Sequence, residues 1–219
     1  MKTSKVIIID DHPIVRAGLA AVIAQDPAMV VCADCSNADE SIAAVRQHQP
    51  DLAIVDMTLG TASAMPLFQC LQRHQPALRM LALSMHDESV FAARALKAGA
   101  HGYLMKGSAI DTLREAMHVV LSGQLYVSDR MRSLMLHDMV QGTPTGNQNS
   151  LRQLTATEMV VLQMIGAGAG TREIADQLKR SLKTIETHRS NIRNKLELAN
   201  SAALVHFAIQ WVQQDDQSG

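Results

Sequence analysis

Three carboxylates and one lysine, each placed at the end of a short apolar run, constrain this 219-residue chain more than any other feature. Val6-Ile7-Ile8-Ile9 ends in Asp10-Asp11, Leu52-Ala53-Ile54-Val55 ends in Asp56, and Gly102-Tyr103-Leu104-Met105 ends in Lys106. Short apolar runs separated by helix-like segments read as buried strands of a parallel sheet. In such sheets, ligands bind at the carboxyl ends of the strands. The four charged groups should therefore meet in one crevice. Carboxylates so close repel one another, which favours a bound divalent cation. Hard oxygen ligands with open water positions suit Mg²⁺ and a phosphoryl group, and the lysine supplies the positive charge a phosphate oxygen needs.

The length accommodates two modest domains, each with a core of its own. Net charge is −1, but its placement is uneven. Acids outnumber bases over residues 1–125. Between Thr171 and Leu196, Arg172, Lys179, Arg180, Lys183, Arg189, Arg193 and Lys195 face only Glu173, Asp176 and Glu186. That local excess points to a polyanionic partner; the competing explanation is a solvated helix face. No signal peptide and no membrane-spanning stretch is expected. Cys32, Cys35 and Cys70 form no disulfide framework, and a reducing cytoplasm fits. Cys32 and Cys35 match the C-x-x-C spacing but lie in a strand-like run, where residues three apart point to opposite faces.

The first part alternates strands (5–9, 29–33, 52–55, 80–84 and 102–105) with helices (14–24, 39–48, 66–73, 89–98 and 110–122). Pro13 suits a first helical turn, and Gly99 and Gly123 sit where helices should stop. Five such units predict an α/β doubly wound five-stranded parallel sheet of flavodoxin-like topology over residues 1–125. Its strand order, 2-1-3-4-5, is taken over from folds of that topology rather than derived. Residues 126–150 read as a linker with one helix at 128–140 and a polar Gly/Pro stretch at 141–150. Residues 151–213 read as an all-α four-helix domain, followed by a frayed tail over 214–219. Thr155-x-x-Glu158 is a capping box. Two short helices across a tight turn, the second basic, are the sequence form of a helix-turn-helix.

In order and spacing these motifs resemble the response regulators of the NarL/FixJ group, in which a receiver domain precedes a LuxR-type helix-turn-helix. The likeness covers nearly the whole chain. It rests on Ile9-Asp10-Asp11-His12-Pro13 with Arg16-x-Gly18, on Asp56, on Leu83-Ser84, and on Ala98-Gly99-Ala100-x-Gly102-Tyr103-Leu104-x-Lys106. In the second domain it rests on Leu154-Thr155-x-x-Glu158, Glu173-Ile174-Ala175-x-x-Leu178 and Ser181-x-Lys183-Thr184-Ile185-x-x-His188. The chain departs from the pattern after Asp56: Met57-Thr58-Leu59-Gly60-Thr61-Ala62-Ser63-Ala64 lacks the usual Pro, and its second Gly position is Ala64. A Pro-free loop has more backbone states open to it.

The resemblance implies that Asp56 is the phosphoacceptor and that Asp10, Asp11, Asp56 and the Thr58 carbonyl hold Mg²⁺. Lys106 and Ser84 would stabilise the phosphoryl group, and Tyr103 would follow Ser84 as a switch. A plain helix cap near Pro13 accounts for one carboxylate, but not for three with a lysine. His12 reads as structural or rim-exposed, and His86 lies near the pocket as a candidate to tune hydrolysis. The implied partners are a sensor histidine kinase, promoter DNA and a second copy of the chain on activation, with contact to RNA polymerase left open. The chain would be no enzyme beyond its own Mg²⁺-dependent phosphoryl transfer and dephosphorylation.

The helix from Ser181 would enter the major groove. Helical spacing puts Glu186, Thr187 and Ser190 on one exposed stripe, as candidate base contacts, while Ile185, Ile192 and Leu196 turn inward. Lys183, Thr184, His188, Arg189, Arg193 and Lys195 would mostly meet phosphates. Leu204, Val205, Ala208 and Ile209 give the last helix more apolar surface than a small domain needs; they are the candidate dimer residues, against ordinary packing on the domain's first helix. Two other classes compete. One is a regulator of the same architecture that ignores phosphorylation, motivated by the altered loop. The other is a doubly wound phosphatase, which would want an acid two residues after its nucleophile, where this chain has Thr58.

Overall fold

Val6 to Ile9 and Leu52 to Val55 have almost no exposed surface, which is why they read as unbroken apolar runs: helices cover both faces of their sheet. The structure is a computed structural model describing residues 3–60, 62–85, 88–141, 151 and 153–216. The chain divides into two compact units, Met1–His137 and Asp138–Gly219.

In the first unit, β1 (Ser4–Ile9), β2 (Met29–Cys35), β3 (Leu52–Asp56), β6 (Arg79–Ser84) and β7 (Gly102–Met105) form a parallel sheet in the order β2-β1-β3-β6-β7. That is the expected 2-1-3-4-5 order among the five sheet strands. Between them lie α1 (Pro13–Ile23), α2 (Ala38–His48), α3 (Met65–His74) and α4 (Glu88–Lys97), with α5 (Ile110–Leu121) after β7. Asn37 caps α2 by accepting the Glu40 N–H at 3.0 Å. The register aligns Ile9 with Val55, Asp56 with Leu83 and Ser84 with Met105, so four strands end at one level.

Two features of this unit have no counterpart in the sequence pattern. The stretch after Asp56 is an antiparallel hairpin, β4 (Thr58–Leu59) and β5 (Ala62–Ser63). The unit also runs past residue 125. Tyr126 bridges to the edge strand: its N–H donates to His101 O at 3.0 Å, and its carbonyl accepts the Tyr103 N–H at 2.9 Å. Gly102 permits this approach, since a Cβ there would stand 2.9 Å from Leu81 Cδ1 and 3.1 Å from Tyr126 Cβ. The helix α6 (Asp129–Gln141) follows, with Met131 buried.

Register shifts at Cys32, where Val6 pairs with Val31 and Ile7 with Ala33. Cys32, Cys35 and Cys70 are free. Burial pushes the Cys35 thiol up to about 11, with Glu40 and Asp34 adding to the rise, which disfavours the thiolate.

The second unit contains α7 (Ala156–Gly166), α8 (Thr171–Gln177), α9 (Leu182–Lys195) and α10 (Ser201–Asp216). The capping box is complete: Thr155 Oγ1 accepts the Glu158 N–H at 3.2 Å, and Glu158 Oε2 accepts the Thr155 N–H at 2.7 Å. α7 and α10 meet closely at Gly166, where a Cβ would stand 2.5 Å from the Ala208 carbonyl oxygen. The linker positions 142–150 and tail positions 217–219 lie outside the described residues, as does His86. No helix among the described residues is long and apolar enough to cross a membrane.

Candidate functional site

The carboxyl ends of β1, β3 and β7 bring Asp10, Asp56 and Lys106 together. Asp10 is 1% exposed and Asp56 4%. Charged side chains are rarely buried so fully unless paired. Here the pairing is explicit: Lys106 Nζ lies 2.8 Å from Asp10 Oδ2 and 2.8 Å from Asp56 Oδ2. The other Asp56 oxygen accepts the Thr58 N–H at 3.1 Å. Burial pushes the Asp56 carboxyl above the usual range, while Lys106 and the Thr58 amide oppose the rise and Asp10 adds to it. Burial pulls the Lys106 ammonium down, but its bonds to Asp10 and Asp56 outweigh that, and its pKa is raised.

Asp11 lies on the rim. Its Oδ2 accepts the Gly60 N–H, from the turn of the hairpin, at 3.0 Å. His12, expected to be structural or rim-exposed, is 63% exposed in its side chain, yet its Nδ1 is 3.0 Å from both Asp10 Oδ1 and Asp11 Oδ1. Arg16 supports the same end of β1 by donating to the Asp10 carbonyl at 2.7 Å. One donor atom from each of Asp10, Asp11, His12 and Asp56 falls within 4.8 Å of the others. Asp11 Oδ1 is buried and receives no well-directed hydrogen bond from the described residues. Converging hard oxygens with an under-used acceptor fit a small divalent cation such as Mg²⁺.

Ser84 and Tyr103 are both buried. Ser84 ends β6, and its carbonyl accepts the Lys106 N–H at 2.7 Å. Thr58 opens the hairpin. The hairpin also accounts for the departure from the family's loop. Gly60, at φ 62°, carries the left-handed turn, whereas Ala64 sits at φ −76°, where alanine is unstrained.

In the second unit, Ser181 caps α9 by accepting the Thr184 N–H at 3.1 Å. Ile185, Ile192 and Leu196 are buried, as the helical spacing requires. Lys183, Glu186 and Thr187 are exposed; Thr184, His188, Arg189, Ser190 and Arg193 are half-buried. Burial lowers the pKa of the Arg189 guanidinium. His188 Nδ1 is buried without a hydrogen bond among the described residues.

Two groups of candidates make contacts inside the unit. Lys195, expected among the phosphate-binding cations, has its ammonium 2.6 Å from Oε2 of Glu158, the buried capping-box carboxylate. Of the four candidate dimer residues, Leu204 and Ala208 are buried inside the domain, where α10 packs on α7. Only Val205 and Ile209 keep exposed surface.

Comparison with known proteins agrees with both halves of this geometry. Residues 6–118 match the response regulator receiver domain, and residues 152–208 match the bacterial regulatory proteins of the luxR family. The oxygen regulatory protein NreC of Staphylococcus carnosus is 29% identical over 211 residues, covering 94% of this chain and 97% of that protein. A nitrate/nitrite response regulator protein homolog of Haemophilus influenzae is 33% identical over 199 residues, covering 91% and 93%. Among solved structures, RcsB of Salmonella enterica serovar Typhimurium, bound to promoter rprA in the presence of the phosphomimetic BeF3⁻, is 25% identical with a TM-score of 0.62, covering 94% and 98%. A receiver sheet with an acidic crevice and a LuxR-type helical domain, matched together by relatives of nearly equal length, place this chain in the two-component response regulator family, as a DNA-binding regulator of the NarL type.

Proposed function

We propose that the chain is a transcription regulator switched by phosphorylation of Asp56 by a sensor histidine kinase, and that the phosphorylated form dimerises on promoter DNA. The observation that carries this reading is the convergence of Asp10, Asp11, Asp56 and Lys106 at adjacent strand ends. An Asp56 oxygen attacks the phosphorus as the donor's P–N bond breaks, leaving an acyl phosphate on Asp56. Asp10, Asp11, Asp56 and the Thr58 carbonyl would hold Mg²⁺, which supplies neutralisation of the transferring oxygens. Asp10 would take part through water.

Lys106 exchanges Asp56 for a phosphoryl oxygen without leaving the crevice. Ser84 donates to another oxygen, and Tyr103 follows it. The added charge of nearly −2 with three acceptor oxygens drives the change. Thr58 stands two residues after Asp56, where a doubly wound phosphatase would want its general acid, which argues against turnover of an external substrate.

In the second unit, α9 enters the major groove. Lys183, Arg189 and Arg193 meet phosphates, and Glu186 and Thr187 meet base edges. RcsB bound to promoter DNA in the presence of a phosphate mimic supports the same use of this architecture. Of the four candidates on α10, Val205 and Ile209 keep surface for a partner copy.

The test is incubation with acetyl phosphate and Mg²⁺, read by intact-mass spectrometry. One phosphoryl group on the wild type and none on Asp56→Asn is expected. Equal uptake by both removes Asp56 as the acceptor. No uptake by either, with Mg²⁺ bound, favours a regulator of this architecture that ignores phosphorylation.

A further inference from the structure

Glu158 and Lys195 are 37 positions apart, yet their charged groups meet at 2.6 Å. Glu158 is 2% exposed, and the same Oε2 accepts the Thr155 N–H at 2.7 Å. One buried oxygen therefore joins three things: the N-cap of α7, the first turn of α7 and the last residue of α9. Burial alone would raise the Glu158 pKa, but Lys195 and Thr155 outweigh it and the carboxyl is held below the usual range. Turning the ammonium outward to a phosphate would leave a buried carboxylate without its cation, which is costly.

We propose that Lys195 is a positioning residue for DNA recognition: it fixes the carboxyl end of α9 on the capping box of α7 and does not contact the DNA backbone. This rests on the proposed DNA-binding role of α9. The mechanical case follows from helix geometry. Ile185, Ile192 and Leu196 hold α9 by apolar contact, which is non-directional. The charged bond at Lys195 is directional and adds a fixed point. Glu186 lies nine residues earlier, roughly 13 Å along the axis, so a tilt of about 5° at Lys195 moves it by about 1 Å. Such a shift spoils contacts to base edges while leaving the general attraction of cations for phosphates almost intact.

The experiment uses the full-length protein and two probes: a duplex selected by the wild type from a random-sequence pool, and poly(dI-dC). Affinity for each is measured across salt concentrations. Lys195→Met should keep the wild-type salt slope on poly(dI-dC) but lose about tenfold in affinity for the selected duplex, within the usual range for coupled contacts. Lys195→Arg keeps a cation that pairs with Glu158 and should return to within about twofold of wild type. Glu158→Gln keeps an acceptor for Thr155 and should behave like Lys195→Met, with the double variant no worse than either single one.

A fall of about one in the salt slope of Lys195→Met would make Lys195 a phosphate contact and overturn the proposal. So would equal losses on both duplexes without rescue by Lys195→Arg. If Lys195→Met does not fold, Glu158→Gln decides, and wild-type selectivity in that variant overturns the proposal. A wild-type protein that enriches no duplex from the pool and does not bind poly(dI-dC) overturns the DNA-binding role itself.

Discussion

Gly60 donates its amide hydrogen to Asp11 Oδ2 at 3.0 Å, across 49 positions of sequence, and does so from a left-handed backbone at φ 62°. The hairpin thus reaches the acidic crevice through a main-chain donor.

This predicts an inverted glycine preference in the loop. Gly60→Ala should destabilise the first unit by about 1–2 kcal/mol, the usual penalty for a Cβ in the left-handed region. Ala64→Gly should relieve no strain, since Ala64 already sits at φ −76°, and should leave stability within about 0.5 kcal/mol of the wild type. Urea unfolding of both variants checks this. A stabilising Ala64→Gly would mean that the loop has the family's usual form instead.

A second prediction concerns the α7–α10 contact. Gly166→Ala places a Cβ 2.5 Å from the Ala208 carbonyl oxygen, a main-chain atom that cannot swing aside. The cost should be about 1–3 kcal/mol, typical of overpacking. The second unit's melting temperature should fall while that of the first stays put. An unchanged second transition would mean that the helices are not that close.

The second unit should also be sensitive to acid through Glu158. Its folded pKa is depressed, so the ion pair stabilises the fold fully above the ordinary carboxylate value of 4.5 and is lost as pH falls through the depressed value. Thermal unfolding of the wild type and Glu158→Gln between neutral pH and pH 3 tests this. The two should differ at neutral pH and converge in acid; a gap independent of pH would contradict the assignment.

Much of this fold is legible in the residues. Continuous apolar runs mark the five strands of the parallel sheet, and their charged ends mark the crevice, because strand-end position is local information. The hairpin at Thr58–Ser63 is not legible, since two-residue strands carry no period. Tyr126 reads as linker because one residue paired to a sheet edge has no pattern either. The Lys195–Glu158 pair is not legible, because a helix wheel reports the face of a residue and not its distant partner. Leu204 and Ala208 read as interface because an apolar face does not say which surface covers it.

On α9, charge and selectivity should separate. Lys183→Ala should lower the salt slope of DNA binding by about one, as expected for one lost phosphate contact. Glu186→Ala should instead relax preference at one base pair, by about 1–3 kcal/mol. Both side chains are exposed, so neither change should affect folding. Salt titrations and single-base variants of the site are the measurements. If Glu186→Ala weakens every site variant equally, α9 is rotated in the groove and Glu186 does not face the bases.

The most direct measurement of the central claim is DNA affinity with and without beryllofluoride and Mg²⁺, for the wild type and Asp56→Asn. Asp56 is the buried carboxylate that Lys106 and the Thr58 amide both hold in the crevice. Beryllofluoride should tighten DNA binding by the wild type and shift it from monomer to dimer, with no effect on Asp56→Asn. A wild type that binds DNA equally well in both conditions, as an unchanged monomer, would contradict control of this regulator through Asp56.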